Sequence, residues 1–326
     1  MSLTREEVDQ FEREGWVMKR KVFSRGDMEP IRDALTEIVH REAVGLREKG
    51  MLDDIYEEEP FETRLTRIRY ASHEACQVIY KSIMGKAGGG FSGESMFHFI
   101  RHRPLLSCIE SLLGPDLIGS AIYRVRPKIP EWAHGEVPWH QDSGYFLPHC
   151  DKYLILTCWI PLVDATLENG CLFVLPRSHK KGVIRHYSGG HSGYLEVPGD
   201  LLGEVKPVPV EMEAGSVLFL TSMTPHASFE NHSETVRWSL DLRYQSMEPP
   251  NNVDEEPETY TRERDPVTMA CLPTEADFVI RDTKNPHREV ATPEQFHKLR
   301  EKYEKTHPWY PGRGWTPMSE RDQGNE

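Results

Sequence analysis

Apolar positions along this chain keep two different rhythms. In the N-terminal third, Met28, Ile31, Leu35, Ile38, Ala43 and Leu46 recur at roughly helical spacing until Gly50, which predicts a long amphipathic helix. Thr4 and Glu7 stand at capping-box spacing ahead of it, so a first helix is expected there. Another is expected from Pro104 to Leu113, with proline in its first turn and Gly114 just past its end. Within "RLTRIRY", Arg67 and Arg69 alternate like strand residues.

From about Leu117 the rhythm changes to short β-rich runs, "LIGSAIYRV", "YLILTCWIPLV", "CLFVLP", "VKPVPVEM", "SVLFLT" and "VRWSLDLRY", punctuated by glycine, proline and asparagine. Many short strands with turns between them favour a barrel or jelly roll over a parallel sheet with crossover helices. After Tyr244 the chain turns polar and proline-rich, and "EPPNNVDEEPE" reads as an exposed loop. A short helix follows from Pro293 to about Tyr303, with Thr292 as its cap and Phe296, Leu299 and Tyr303 on one face. "HPWYPGRGWTPM" carries too many aromatics for a disordered tail and is expected to pack back onto the body. The expected organisation is one catalytic domain over residues 1–326: helical support to about 115, a β core over about 116–245, and an extension from 246 that packs on the core.

Charge narrows the partners. The 39 basic and 52 acidic side chains leave −13, which repels nucleic acid and anionic membrane surfaces. No apolar run reaches the ~20 residues of a membrane helix, and "MSLTREEVDQ" is too polar for a signal peptide, so a cytoplasmic protein is expected. Six cysteines without a CxxC pair read as reduced, buried thiols. The expected partner is a small molecule; the aromatic tail either closes over its own site or crosses to a second copy in a homodimer.

The chemistry concentrates in "VPWHQDSGYF". On a strand, His140 and Asp142 project from one face and can address one ion. His226, just beyond "SVLFLTS", is the best candidate for a third ligand, and two histidines with a carboxylate form the facial set of non-haem iron(II) sites, although zinc accepts the same groups. Arg237, eleven residues later across a turn-like "ENHSET", supplies a fork that fits the far carboxylate of a dicarboxylic acid.

"HQDSGYF", "LTCWIPLVDATLENGCLFVLPRSHKKG" and "GSVLFLTSMTPHASFENHSETVR", with the opening "VDQFEREGWVMKRKVFS", together resemble the phytanoyl-CoA dioxygenase family of Fe(II)- and 2-oxoglutarate-dependent oxygenases. The resemblance implies a mainly β fold with flanking helices, a double-stranded β-helix (jelly roll, cupin-like). It implies that His140, Asp142 and His226 hold iron and that Arg237 holds the C5 carboxylate of 2-oxoglutarate, with dioxygen as the oxidant. It further maps cofactor-binding roles onto Gln141, Ser228, Arg126 and Trp159, where Arg126 stands in place of a commoner lysine. A carboxylate at Asp142 points to oxygenation of a C–H bond, with release of succinate and carbon dioxide, and away from halogenation.

Tyr145, Phe146, His134, Trp132 and Arg243 are candidates for substrate contact, each with packing or solvation as the plainer reading. Two other classes stay open: a metal-dependent jelly-roll hydrolase or isomerase without 2-oxoglutarate, and a non-catalytic binding module. Fold and cofactor do not name the substrate.

Overall fold

The N-terminal capping box forms as the spacing predicts: Thr4 accepts the Glu7 N–H, and Glu7 accepts the Thr4 N–H at 2.7 Å. In this computed structural model, which describes residues 1–84, 91, 93–120, 123–132 and 135–321, that box opens α1 (Arg5–Glu14). Gly15 ends it at φ +83°, where a Cβ would lie 2.6 Å from Thr224 Oγ1, so only glycine fits. Then come β1 (Trp16–Lys19), α2 (Arg25–Glu48), α3 (Arg64–Ala71), α4 (His73–Met84), α5 (Glu94–Ile100) and α6 (Arg103–Leu113). The long helix α2 buries Met28, Ile31, Leu35, Ile38, Val39, Ala43 and Leu46.

The strand-like reading of "RLTRIRY" was incorrect. Leu65 and Ile68, three apart and both buried, set a helical period that overrides the two-residue alternation of the arginines. Arg67 faces solvent and pairs with Glu59 at 3.3 Å.

The strands that follow are β2 (Leu117–Gly119), β3 (Arg124–Lys128), β4 (Val137–His140), β5 (Ile155–Pro161), β6 (Leu172–Val174), β7 (Val208–Val210), β8 (Val217–Thr221), β9 (His226–Ser228), β10 (Arg237–Ser246) and β11 (Phe278–Arg281). They make the two antiparallel sheets of a jelly roll. The larger runs β1-β8-β5-β10-β2-β11, with β3 also on β10, and the smaller runs β4-β9-β6-β7. The β framework is therefore wider than residues 116–245. β1 lies on β8 (Trp16↔Leu220) and β11 on β2 (Phe278↔Gly119), so both flanks donate a short edge strand, each too brief to declare itself in the sequence.

Strand β10 organises the interior. Trp238, Leu240, Leu242 and Tyr244 alternate onto one face and join the core beneath the helices. Arg237, Ser239, Asp241, Arg243 and Gln245 alternate onto the other face, and all are buried too. A buried polar row is costly unless its members find partners, so the interior opposite β10 must supply them.

The extension packs closely. "EPPNNVDEEPE" is exposed only in part, at Glu248, Asp254, Glu256 and Glu258, and buries Pro249, Asn252 and Pro257: Asn252 accepts the Asp277 N–H at 2.6 Å and donates to the Glu275 carbonyl at 2.5 Å. α7 (Pro293–Thr306) carries its own capping box, Thr292 with Gln295, and buries Phe296 and Tyr303. α8 (Met318–Arg321) follows the aromatic tail, which lies back against the loop after β4. All six cysteines are free and buried, and among the described residues no helix is long and apolar enough to cross a membrane.

Candidate metal centre

Register brings the histidines together. β4 and β9 pair antiparallel with His140 opposite His226, and the two rings lie 4.3 Å apart. Asp142 opens the single turn of 3-10 helix that follows β4. One ligand atom from each of the three residues falls within 4.8 Å of the others, with Asp142 Oδ1 3.9 Å from His140 Nε2.

The surroundings set these groups for coordination. His140 Nδ1 donates to the Pro138 carbonyl at 2.9 Å and His226 Nδ1 to the Thr224 carbonyl at 3.0 Å, which leaves each Nε2 lone pair facing the site. Burial, and next the neighbouring His226, push the His140 imidazole down to about 3, so it stays neutral. Burial acts against the Asp142 charge, but the Arg243 guanidinium, with His226 and His140, holds its carboxyl well below the usual carboxylate range. Two imidazoles and an ionised carboxylate, all buried, suit a divalent cation.

Arg243 is the residue whose position the sequence left most open. It grips Asp142 with its fork, Nε to Oδ2 at 3.2 Å and Nη2 to Oδ1, while Thr157 Oγ1 donates to Oδ2 at 2.5 Å. Cross-strand register explains the pair: Arg243 lies opposite Thr157 in the β10–β5 ladder. Neither Thr157 nor Asp241, which takes the Arg126 guanidinium, was singled out from the sequence, although alternation along "VRWSLDLRY" puts Arg237, Asp241 and Arg243 on one face.

Two cavities meet at this centre. The narrower runs from His140 and His226 past Thr157, Trp159 and Ser228 to Arg237, and Arg126 also lines it. Arg237 is 2% exposed; its guanidinium sits 4.9 Å over the Trp159 ring, and Nη1 donates to Ser239 Oγ at 3.0 Å. Its Nε has no hydrogen-bond partner, and among the described residues no carboxylate pairs with it. Burial pushes this guanidinium down to about 10, so an anion at this end would restore what burial takes away.

Ser228 spends its hydroxyl on the Gly170 carbonyl at 2.9 Å while still lining the cavity. Gln141 does not reach it. Its amide donates to the carbonyls of Gly182 at 2.9 Å and Met223 at 2.6 Å and accepts the Ile184 N–H at 2.7 Å, because as the middle residue of HQD it points away from the face that His140 and Asp142 share. The cofactor-binding role expected for Gln141 therefore gives way to a structural one.

The second cavity, about 280 Å³, opens past His140 and Asp142 toward Tyr145, Phe146, Tyr194 and Arg124. Tyr145 is held at its hydroxyl by the Leu195 N–H at 3.1 Å. Trp132 lines neither cavity: its ring stacks on His73 at 4.8 Å and packs against the helices, which corrects the expectation of substrate contact. His134 lies outside the described residues. Tyr194 and Met84, which complete the wall, lie in segments that carried no motif.

A jelly roll that turns two imidazoles, a carboxylate and a buried guanidinium toward one interior point has the architecture of the iron(II)- and 2-oxoglutarate-dependent oxygenases, with iron, 2-oxoglutarate and dioxygen as the cofactors of the class. Residues 11–239 match the phytanoyl-CoA dioxygenase (PhyH) family, and the chain belongs to that family. Phytanoyl-CoA dioxygenase from Arabidopsis thaliana is 31% identical over 199 residues, which cover 60% of this chain and 62% of that protein. Phytanoyl-CoA dioxygenase 1 from Oryza sativa subsp. japonica is 25% identical over 269 residues, 74% of this chain and 88% of that protein. The chain thus spans a little under two thirds of the Arabidopsis relative's length. Among solved structures, the apo form of the non-heme monooxygenase ThoJ superimposes with a TM-score of 0.53 at 16% identity, covering 92% of this chain and 96% of that one, a likeness of fold.

Proposed function

We propose that the chain hydroxylates a C–H bond of a small molecule, using iron(II) held by His140, Asp142 and His226 and 2-oxoglutarate held at its far carboxylate by Arg237. The observation that carries this reading is the Arg237 guanidinium, buried without a carboxylate at the opposite end of the cavity that begins at His140 and His226. Bound there, the metal would supply oxidation: substrate, dioxygen and 2-oxoglutarate give hydroxylated substrate, succinate and carbon dioxide.

The protein's own part is positioning. His140 and His226 present Nε2 because their Nδ1 protons are committed to backbone carbonyls. Arg243 and Thr157 hold the Asp142 carboxylate ionised and oriented. The Trp159 ring lies 4.9 Å from the Arg237 guanidinium and supports it, while Arg126, paired with Asp241, also lines the cavity. Tyr145, Phe146 and Tyr194 wall the wider cavity, where the substrate sits against the same centre and water is displaced.

The test is anaerobic addition of 2-oxoglutarate to the Fe(II)-loaded protein. A weak visible charge-transfer band in the parent, lost in Asp142→Ala, together with succinate formation under air, is expected. Iron binding without that band would move the reading to a hydrolase or isomerase, and succinate formation retained in Asp142→Ala would sink it.

A further inference from the structure

The turn that carries Asp142 is held from outside the segment matched to the family. Two of its N–H groups are satisfied locally, Gly144 N–H donating to the Gln141 carbonyl at 2.9 Å and Tyr145 N–H to the Asp142 carbonyl at 2.9 Å, while Ser143 N–H donates to the Ser222 carbonyl at 3.0 Å. The Ser143 carbonyl accepts the Phe146 N–H at 3.2 Å, and the three carbonyls after it look outward. Each accepts from the C-terminal tail instead: Gly144 O from Trp315 Nε1 at 2.7 Å, Tyr145 O from the Tyr310 hydroxyl, and Phe146 O from Arg313 Nε at 2.7 Å. Arg313 continues to Asp151, with Nη1 3.1 Å from Oδ2. The opposite side of the motif is gripped by His186, whose Nε2 accepts the Gln141 N–H at 2.9 Å and whose ring lies 5.3 Å from that of Trp315. Gly144 permits this approach, since a Cβ there would stand 2.7 Å from His186 Nε2.

We propose that Tyr310, Arg313 and Trp315 are positioning residues for the metal centre, fixing the turn that aims the Asp142 carboxylate at His140 and His226. Three donors on three successive carbonyls, added to the bonds of Ser143 to Ser222 and Gln141 to His186, restrain rotation of the turn about its chain axis. The carboxylate, which belongs to its first residue, is fixed with it. The tail lies wholly beyond residues 11–239, so the extension contributes to a centre whose ligands all lie inside the family match. Its anchorage is separate from its grip. Arg185 Nη2 donates to Thr316 Oγ1 at 3.0 Å, and the Ser188 N–H donates to the Thr316 carbonyl at 3.0 Å, neither touching the turn.

This inference rests on the metal-site reading above, and cobalt(II) binding to the full-length protein tests both. Titration of the metal-free parent with Co(II), followed by its visible spectrum, is expected to show a site lost in His226→Ala. The triple variant Tyr310→Phe/Arg313→Met/Trp315→Phe keeps the packing bulk and removes the donors. It is expected to bind Co(II) about 10- to 100-fold more weakly, with an altered spectrum and a melting temperature close to the parent's. Arg313→Lys, which retains a donor and a charge, should recover part of the loss, and Arg185→Ala should leave affinity and spectrum unchanged. A triple variant that binds Co(II) as the parent does, or an Arg185→Ala variant weakened as much as the triple one, overturns the positioning role while leaving the metal site standing. A parent spectrum insensitive to His226→Ala overturns both.

Discussion

The two cavities that meet at His140 are built from different materials. Strand residues wall the narrower one: Arg126 from β3, Thr157 and Trp159 from β5, Ser228 from β9 and Arg237 from β10. The wider one shares Arg126, Val137, His140 and Arg243 with it, and adds Tyr145 and Phe146 from the loop after β4, Tyr194 from a long connection and Met84 from the end of α4. Sheets give the first its rigidity, and loops give the second its freedom to vary. On the proposed reading, the histidines and the 2-oxoglutarate end lie against the strands, while Asp142 and the residues that would choose a substrate lie on loops.

If that division holds, the largest effect belongs to Arg237. Replacing it with glutamine should weaken 2-oxoglutarate binding by roughly 2–5 kcal/mol, ~30-fold or more, with iron affinity unchanged; anaerobic titration of the Fe(II) protein measures both. A comparable loss on changing Tyr194 would erase the distinction between the cavities.

His186, which accepts the Gln141 N–H behind the motif, gives the next. Burial holds His186 near 4, whereas an unfolded histidine takes its proton near 6.5. The unfolded chain therefore binds more protons between those values, so stability is full above about pH 6.5 and falls as pH drops toward 4. The loss approaches about 3 kcal/mol in urea midpoints measured against pH, and His186→Gln should flatten the slope in that window. An unchanged slope would remove His186 from the account of the motif's support.

The smallest effect sharpens the comparison most. Tyr194→Ala should lower substrate-coupled turnover ~10-fold while 2-oxoglutarate affinity stays within about twofold, read from the ratio of succinate formed to substrate oxidised. Because Arg126 Nη1 reaches the Tyr194 hydroxyl at 3.4 Å, a larger shift in 2-oxoglutarate affinity would show that the two cavities communicate through this contact.

What could be read from the sequence follows the same boundary. His140 and Asp142 stand two apart, and His226 and Arg237 flank one turn, so local spacing suggests the set; the structure gathers His140, Asp142 and His226 together and sets Arg237 at the far end of the same cavity, with Asp142 on the turn just past the strand. The strand runs were legible because alternation and turn residues are local signals. Arg243 on Asp142 and Arg126 on Asp241 depend on which strands become neighbours, and local periodicity carries no information on register. Gln141 and Trp132 misled because a residue next to a motif inherits its chemistry in sequence while its side chain points elsewhere in space. The edge strands β1 and β11, four residues each, stand apart from the other β-rich runs, among helices and polar loops, and carry no such signal of their own.

The tail that caps the turn also sets an order in time. Tyr310 is synthesised 165 residues after Tyr145, the residue whose carbonyl it meets. At ribosomal rates that interval is on the order of ten to thirty seconds. Both histidines and the aspartate leave the ribosome well before the donors that fix their geometry, so a nascent chain exposes an unfinished ligand set with water on its carbonyls. On the positioning role proposed for the tail, a chain that stalls before Tyr310 is expected to hold a metal more loosely than the finished one.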